Sequence, residues 1–419
     1  MSFPPWSLSY CDNTRGDDFI TSIYALPKMM RIGFLSFAHV NVGAGIEYWL
    51  KDVCLRVAEN HQVTVITTNS GSQRVNIKGV LNRAGISVEE IRVLIPGTSL
   101  PTLLGILKLK RLIERQDVVY FLYCPGGLEL IAMVMQRILH IPVIAGYTFP
   151  LKAYKQTGKL ILVRRLYSLI LGDAGIKVAK HFAAHQVENN DLANEVAGWG
   201  VRSVCKLAAA VDLNLFNPSK KDDTFTVLFL GRLEPTKGVD LLPEIYSALR
   251  SRIDLFRFCI VGDGSLSKVA KDLNSPPAVI WYGFVPDGLK RQLLSSSHVL
   301  IAPSRAEALM HSGLEAMASG TVVVASDISG VREYVVNGYN GYLARSVEEM
   351  VERVVSIYGM WQAGSPYYKL RANAIKTAAM YDFDRVVPRF EELFLVTAKN
   401  FRSALVNRKA SRVTSSKTS

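Results

Sequence analysis

The sequence predicts two α/β domains of similar size, each a doubly wound parallel sheet with helices on both faces. Apolar, strand-like runs alternate with helical stretches over most of the 419 residues. The alternation breaks once, at the polar segment 217–224 (NPSKKDDT), and then restarts. The length also fits two or three domains of roughly 100–200 residues. In such folds ligands bind beyond the carboxyl ends of the strands, so site residues are expected in the loops that follow strands.

The first domain is predicted over residues 29–217. It opens with a buried strand, 31–37 (RIGFLSF), and the preceding residues 1–28 have no sustained period, so we expect them to be an appendage. A glycine-bearing turn at 42–45 (VGAG) and a helix over 46–59 come next. The later strands are predicted at 62–68, 87–93, 118–123, 143–147 and 182–184.

The second domain is predicted over residues 224–381. A helix is predicted over 241–250, after the first strand of this domain. A last helix over 382–398 is expected to pack back on the N-terminal domain, and the basic segment 399–419 is expected to be disordered. The strands of this domain are predicted at 225–230, 256–261, 279–282, 299–302 and 322–325.

Composition excludes several classes of protein. A hydrophobic content of 49% with 20% charged residues excludes wholesale disorder. The five cysteines form no C-x-x-C pair, so neither a zinc site nor a disulfide framework is expected. No run of 18 apolar residues is free of charge, and charged residues occupy the N-terminus where a secretory signal needs an apolar core. We therefore expect a cytoplasmic protein, with peripheral attachment to the inner membrane face as an option.

The positive charge is concentrated in the first domain. The net charge is +13, and residues 101–180 hold 12 Lys/Arg against 4 Asp/Glu, whereas residues 221–392 hold 19 against 20. Basic residues recur there at helical spacing with leucine and isoleucine between them, as Lys108 with Arg111 and Lys152 with Lys155. For either helix taken alone this pattern favours a solvated helix face, but the charge asymmetry between the two domains favours a face for an anionic acceptor or an anionic membrane. Nucleic acid is not expected, because aromatic residues are not interleaved with the basic ones.

A glycine-bounded turn, 231–238 (GRLEPTKG), follows the first strand of the second domain. Its glycines let the backbone approach a ligand, and Arg232 and Lys237 bring two cations to a helix entrance. This combination is typical of a diphosphate site, although a tight turn with solvated charges would look similar.

Two further loops add candidate residues. In 261–264 (VGDG), Gly262 allows a nucleoside to lie against the backbone, while Asp263 is either part of that site or only a helix cap. Glu307 and Glu315 are separated by seven residues, around the expected start of a helix near His311. Glu307 would then accept hydrogen bonds from sugar hydroxyls, and Glu315, one turn into the helix, from a ribose.

Together these blocks resemble the retaining glycosyltransferases of family 4, which have the GT-B fold of two Rossmann-like domains facing a cleft. The resemblance covers about residues 30–398. It is strongest in GRLEPTKG (231–238), VGDG (261–264), the segment from Glu307 to EAMASG, and SGVREYVVNGYNGYL (329–343).

The resemblance implies a role for each matching position. Arg232 and Lys237 would hold the donor diphosphate and, with Glu307, form the catalytic set. The nucleotide-sugar site would comprise Gly43, Gly45, Arg232, Lys237, Gly262, Asp263, Glu307, Met310, His311 and Glu315. No cluster of His, Asp and Glu indicates a metal site, so neither a metal nor another cofactor is expected.

Three positions depart from the family pattern, and one of them is the pair Ala209-Ala210, which stands where the family commonly has Asn-Gly. The family commonly has Glu-Gly-Phe-Gly at its first glutamate, where this chain has Glu307-Ala308-Leu309-Met310. The family also usually places a histidine after the strand equivalent to 143–147, and Thr148 occupies that position here.

The resemblance implies a hexosyltransferase that moves a sugar, with retention and without a metal, from a nucleotide diphosphate sugar to an acceptor hydroxyl. A lipid-linked or anionic acceptor at the cytoplasmic membrane face is expected. The competing interpretation is a GT-B chain without turnover that serves as a partner subunit or sugar-nucleotide binder. A GT-B phosphorylase or epimerase is a third option.

Overall fold

A computed structural model of the chain describes residues 6–7, 29–42, 45–71, 73–94, 99–123, 128–148, 177–201 and 203–415. The chain forms two compact units. The C-terminal unit is the continuous segment Ala208–Val386, and the N-terminal unit combines the described residues before Ala208 with those from Val387 onward.

The N-terminal unit contains an eight-stranded sheet with the strand order β1-β8-β7-β6-β5-β2-β3-β4. Neighbouring strands run parallel except at one edge, where β1 pairs antiparallel with β8. The central strands β5 and β6 are buried along their whole length, as expected for a sheet that helices cover on both faces. The strands are β1 (Trp6–Ser7), β2 (Arg31–Leu35), β3 (Gln62–Thr68), β4 (Ser87–Ile91), β5 (Val118–Leu122), β6 (Val143–Tyr147), β7 (Ala184–Val187) and β8 (Val204–Leu207).

Among the described residues of this unit five helices lie between the strands, and side-chain caps fix the start of three of them. Asn76, Thr102 and Asn189 each accept a hydrogen bond from the backbone N–H three residues further on, which satisfies one of the free donors at a helix N-terminus. The helices are α1 (Gly45–Val57), α2 (Ile77–Arg83), α3 (Leu103–Ile113), α4 (Leu128–Leu139) and α5 (Asn190–Ala197).

The N-terminal segment 1–28, predicted to be an appendage, contributes the edge strand β1. Trp6 pairs with Leu207 and Ser7 with Lys206. Sequence patterning did not find this strand because two residues are too short to show a period.

The C-terminal unit contains a six-stranded sheet, all parallel, with the order β11-β10-β9-β12-β13-β14. The strand order reverses between β9 and β12, which makes the gap beyond their carboxyl ends the topological switch point. The strands are β9 (Thr226–Leu230), β10 (Arg257–Val261), β11 (Val279–Trp281), β12 (Val299–Ala302), β13 (Val322–Ser326) and β14 (Gly341–Ala344). The helices are α6 (Leu242–Arg250), α7 (Ser267–Leu273), α8 (Asp287–Ser296), α9 (His311–Ala318), α10 (Ser329–Arg332), α11 (Val347–Ala363) and α12 (Ser365–Ala378). The predicted class of two doubly wound, parallel-sheet units is confirmed.

The chain passes between the units at Leu207–Ala208, before the predicted boundary at residue 217. The segment 217–224, predicted to be a linker, is anchored within the C-terminal unit. The Lys221 ammonium donates to the carbonyl oxygen of Ser295 at 2.9 Å and to the hydroxyl of Thr321 at 2.7 Å. It thereby satisfies a carbonyl at the end of α8, whereas residues 217–220 and Asp223 of the same segment are exposed to solvent.

The last helix, α13, runs from Phe383 to Ser415. It is therefore longer than the helix predicted over 382–398, and it continues through most of the segment 399–419 for which disorder was expected. Its residues Phe390 and Phe394 are fully buried in the N-terminal unit. The Phe390 ring lies 5.7 Å from that of Trp49, and the Phe394 ring 5.9 Å from that of Phe34.

Across the described segments, no helix has the length and apolar character needed to cross a membrane.

His298, at the residue before β12, makes the stability of the C-terminal unit depend on pH. The ring is fully buried, and its Nδ1 accepts a hydrogen bond from the Thr226 amide at 3.1 Å. Burial, together with the positive charges of Lys221 and Arg371, lowers the pKa of His298 to about 3. Between that value and about 6.5 the unfolded chain binds a proton that the folded chain does not, so stability falls as the pH falls through this range.

We expect His298→Asn, which keeps an acceptor near Nδ1, to be less stable than the wild type at pH 7 but to lose less stability on acidification. The difference between their free energies of unfolding should decrease by about 1.4 kcal/mol per pH unit below 6.5. Urea unfolding at pH 7, 6 and 5 measures this, with the exposed His140→Asn as the control. Parallel stability profiles for wild type and His298→Asn would contradict the assignment.

Candidate active site

The candidate site residues of the C-terminal unit gather at its topological switch point. The loop after β9 carries Arg232 and Lys237, and the loop after β12 carries Glu307. These are the two neighbouring strands at which the strand order reverses. The other predicted positions lie in two places. The loop after β10 carries Gly262 and Asp263, and the stretch from β12 into the first turns of α9 carries Met310, His311 and Glu315.

Backbone hydrogen bonds join the loops after β9 and β10. Gly231 N–H donates to Val261 at 3.1 Å, and Leu233 N–H donates to Asp263 at 3.0 Å. Gly262 has φ +138°, and a Cβ there would lie 1.8 Å from the carbonyl oxygen of Gly231. This glycine is therefore required by the packing of one loop on the other, a reason that is separate from the expected approach of a nucleoside.

The loop after β9 is also fixed to the loop after β12. The residues Pro235–Lys237 form one turn of 3₁₀ helix, and Gly238 ends it with φ +68°. A Cβ at Gly238 would lie 2.0 Å from the carbonyl oxygen of Pro303, and the Arg305 amide donates to Thr236 at 2.8 Å. The three loops consequently form one rigid floor, on which the position of Lys237 is set by backbone geometry.

Lys237 and Glu307 form an ion pair on this floor. The Lys237 Nζ lies 2.5 Å from Glu307 Oε1, and the same oxygen accepts a hydrogen bond from the Ser304 hydroxyl at 2.9 Å. Glu307 is only 9% exposed, so its charge is largely screened from water by protein. Arg232, by contrast, is exposed, and no ion pair or hydrogen bond of its guanidinium is found among the described residues.

A second pair of the same kind involves Glu315, one turn inside α9. Its Oε1 accepts a hydrogen bond from Lys290 Nζ at 2.9 Å, and both side chains are about four-fifths buried. The Lys290 ammonium also lies 5.0 Å from the ring centroid of Phe216, within the range of a cation–π contact. Lys290 belongs to α8 and was not found by sequence reasoning, because nothing in its own stretch links it to a glutamate 25 residues away.

The start of α9 holds two more predicted residues. Met310 is buried, and its carbonyl oxygen accepts a hydrogen bond from the Tyr334 hydroxyl at 3.0 Å. Burial and the charges of Lys237 and Lys290 lower the pKa of His311 to about 4, so this imidazole is neutral at pH 7. A neutral ring at the N-terminus of α9 adds no charge to the site.

Asp263 contacts residues of its own turn. Its Oδ1 accepts hydrogen bonds from the Ser267 hydroxyl at 2.6 Å and from the Gly264 amide at 2.9 Å. These contacts hold the turn that leads into α7, a helix that begins without a side-chain cap. A direct role of Asp263 in ligand binding remains a prediction.

Not all predicted residues of the N-terminal half fall within the described structure. Gly43, Lys152 and Lys155 lie outside the described residues. Gly45 is the first residue of α1, and a Cβ there would meet no atom within 4 Å. Thr148, at the position of the expected histidine, directly follows β6 and is half-buried.

The two basic residues predicted on α3 differ in their surroundings. Lys108 Nζ lies 2.7 Å from Glu89 Oε2, so its charge is partly compensated. Arg111 is exposed.

The arrangement in the C-terminal unit is suited to a ligand that combines phosphates with hydroxyl groups. Arg232, Lys237 and Lys290 supply positive charge, and the positive end of the α9 dipole lies at His311. Glu307 and Glu315 supply carboxylate acceptors. Because each glutamate is already oriented by a lysine, a bound ligand would meet pre-positioned groups.

Two parallel Rossmann-like sheets, one of them with such a site at its switch point, define a protein of the GT-B fold. Residues 211–379 match the sequence model of the family of glycosyl transferases group 1. The match lies within the C-terminal unit and covers about two fifths of the chain, and it confirms the resemblance that the motifs of this segment carry.

Individual relatives span both units. The chain is 25% identical over 323 residues to a phosphatidylinositol N-acetylglucosaminyltransferase component of Arabidopsis thaliana, covering 73% of this chain and 69% of the relative. It is 26% identical to the D-inositol 3-phosphate glycosyltransferase 1 of Catenulispora acidiphila, over 52% of this chain and 57% of the relative. Among solved structures, Anabaena Alr3699/HepE in complex with UDP and glucose superposes with a TM-score of 0.68 at 19% identity, over 87% of this chain and 99% of that one.

Proposed function

We propose that this protein is a retaining glycosyltransferase that moves a sugar from a nucleoside diphosphate sugar to an acceptor hydroxyl without a metal ion. The observation that carries the proposal is the pair of lysine-oriented glutamates, Glu307 and Glu315, beside Arg232 at the switch point. A nucleoside diphosphate sugar has hydroxyl groups at both ends and a diphosphate between them. The two carboxylates can accept hydrogen bonds from the hydroxyl groups, and Arg232 and Lys237 can bind the diphosphate.

In this proposal Arg232 and Lys237 bind the diphosphate, Glu315 accepts hydrogen bonds from the ribose, and Glu307 accepts them from the sugar. The bond between the sugar C1 and the diphosphate oxygen breaks. The acceptor oxygen bonds to C1 on the same face, and the acceptor proton passes to the departing diphosphate. Arg232 and Lys237 then act mainly by stabilising the negative charge that develops on that diphosphate.

Two comparisons support the choice of donor and acceptor. The Anabaena structure contains UDP and glucose, and we accordingly place uridine nucleotides first among the donors. The Arabidopsis relative is named for a phosphatidylinositol acceptor, which fits a lipid-linked or anionic acceptor at the cytoplasmic face of the membrane. The excess of 12 basic over 4 acidic residues in the segment 101–180 fits the same acceptor class.

Thr148 is the observation that favours a second candidate, a sugar-nucleotide-binding partner subunit without turnover. A threonine stands after β6 where the family usually has a histidine. Such a protein would keep the donor site of the C-terminal unit and lack transfer.

A panel of UDP-, GDP- and ADP-sugars tests both candidates. Calorimetric titration measures binding, and release of free nucleoside diphosphate, with and without membrane extract as a source of acceptor, measures turnover. The proposed transferase binds one class of donor and releases its nucleotide only when acceptor is present. Binding without release under every condition would favour the partner subunit, and no binding of any donor would contradict both.

A further inference from the structure

The most exposed apolar surface of the described chain lies on two neighbouring helices of the N-terminal unit, α3 and α4. Of the 15 large hydrophobic residues that are exposed among the described residues, six lie on these two helices, which hold 23 residues in total. We call these six the apolar ridge. They are Leu103 (74% exposed), Leu104 (74%), Leu107 (49%), Leu130 (46%), Val134 (41%) and Ile138 (64%).

The ridge follows from the helical period. On α4, Leu130, Val134 and Ile138 are spaced by four residues, so they form one stripe on the side opposite the buried residues Ala132 and Gln136. Because α4 buries one stripe and still presents a second aliphatic stripe to solvent, the packing of the sheet does not account for the second stripe.

An apolar groove of about 340 Å³ runs between the two helices. Leu107 lines it from α3, and Leu130, Val134 and Ile138 line it from α4. Lys110 is the one charged residue among its nine lining residues. Its lining suits aliphatic chains.

A second hollow lies on the other side of Leu107 and is strongly basic. Leu104 and Leu107 line it together with Lys108, Arg111 and Arg115, and Glu89 is its one acidic residue. An apolar groove and a cationic hollow thus share one wall. This juxtaposition matches the two parts of an anionic lipid, an acyl chain beside a phosphate.

We propose that the apolar ridge and its basic hollow are the surface by which this protein docks on a bilayer that contains anionic lipid. The ridge inserts among the acyl chains near the headgroups, and Arg111 and Arg115 contact lipid phosphates. Arg137, exposed on α4 next to Ile138 in sequence, adds a third cation on these two helices. This surface lies outside the donor site and does not depend on the proposed transferase activity.

Charge also argues against a second copy of this chain as the occupant. The helices α3 and α4, with the turn 114–115, carry five Lys/Arg and two Glu. Because Glu129 is buried, the surface of these helices has a net positive charge. A two-fold symmetric contact would bring two copies of this net-positive surface together, which is unfavourable.

Flotation with vesicles tests the proposal on the full chain. The probes are phosphatidylcholine vesicles with and without about 30 mol% phosphatidylglycerol, at 0.1 M and 1 M salt, where the Debye length falls from about 10 Å to 3 Å. We expect binding to the anionic vesicles at low salt, weaker binding at high salt, and little to phosphatidylcholine alone. Equal binding to both kinds of vesicle, or none, would overturn the proposal.

Variants assign the surface. The apolar variant combines Leu104→Ser, Leu107→Ser, Val134→Ser and Ile138→Ser, and the charge variant combines Arg111→Glu, Arg115→Glu and Arg137→Glu. Each should reduce the vesicle partition coefficient at least tenfold. The matched controls change exposed residues of the C-terminal unit, and their partition coefficients should stay within twofold of the wild type. The apolar control combines Leu255→Ser and Phe284→Ser, and the charge control combines Arg252→Glu, Lys268→Glu and Lys271→Glu.

Three further measurements separate this proposal from its competitors. All changed residues are exposed, so the melting temperature and the nucleotide affinity of each variant should match those of the wild type. A loss of vesicle binding is then distinguishable from a loss of the donor site. If a chain ending at residue 399 loses vesicle binding while the apolar and charge variants keep it, the C-terminal segment is the attachment point. If the apolar variant changes only the oligomeric state, the ridge is an interface between copies.

Discussion

Lys237→Met should reduce the rate of sugar transfer, measured as kcat/KM for the donor, by about 10²–10³-fold. The substitution removes a cation that the 3₁₀ turn Pro235–Lys237 holds in a fixed position. It also leaves the Glu307 carboxylate, which is 9% exposed, with the Ser304 hydroxyl as its remaining hydrogen-bond donor among those described. Arg232→Met should weaken nucleotide binding by about tenfold to a hundredfold, because charge-assisted hydrogen bonds contribute roughly 1.5–3 kcal/mol.

Two controls distinguish a lost site from a damaged fold. Lys271→Met removes an exposed lysine of α7 in the same unit and should change neither rate nor affinity. Combining Lys237→Met with Glu307→Gln removes the uncompensated charge, so it should recover thermal stability without recovering transfer. Unchanged nucleotide affinity in both Lys237→Met and Arg232→Met would contradict the assignment of the diphosphate site.

Gly262→Ala should destabilise the C-terminal unit by about 2–4 kcal/mol and abolish nucleotide binding. The residue has φ +138°, which an alanine rarely adopts, and the added Cβ would lie 1.8 Å from the carbonyl oxygen of Gly231. That oxygen belongs to the loop carrying Arg232, so the overlap is relieved only if the two loops separate. Stability and binding are therefore expected to fail together.

Urea unfolding followed by calorimetric titration measures both effects. The matched control is Gly288→Ala, because a Cβ at Gly288 meets no atom within 4 Å and the residue lies in the first turn of α8. In that position alanine should be neutral or stabilising by about 0.5–1 kcal/mol. If Gly262→Ala unfolds at the same urea concentration as Gly288→Ala, the interlocked loops do not require a glycine.

The floor of the candidate site could be predicted from sequence because its signals are local. Arg232 and Lys237 stand between two glycines directly after an apolar strand, and Glu307 and Glu315 bracket a helix start. The loops that carry these residues meet at the switch point because parallel strands bring their carboxyl ends to one edge. Strand order places β9 beside β12, so two segments about 70 residues apart in sequence become neighbours.

Residues whose role depends on packing could not be predicted. Lys290 becomes the partner of Glu315 only because α8 lies beside α9, and its own sequence, DGLKRQLL, reads as an ordinary exposed helix. Similarly, α4 reads as a buried apolar helix, and only the structure reveals that half of its aliphatic residues face solvent.

Composition misled the prediction at two segments. Residues 217–224 are polar, yet the Lys221 ammonium is held by the carbonyl of Ser295 and the hydroxyl of Thr321. The segment 399–415 is rich in Ser, Lys and Arg, but it contains neither Gly nor Pro, and it continues α13 as a helix. Polar composition excludes a residue from the apolar core, but it does not by itself exclude regular structure.

The aromatic core of the N-terminal unit is completed late in synthesis, because α13 supplies its last members. Phe390 and Phe394 belong to the core of the N-terminal unit, yet they are translated after the whole C-terminal unit. At about 5–20 residues per second, a ribosome needs roughly ten to forty seconds to move from Leu207 to Phe394. During that interval the nascent N-terminal unit presents Phe34, Trp49 and Tyr120 without their last partners, so this surface is exposed to chaperones and to other nascent chains until translation ends.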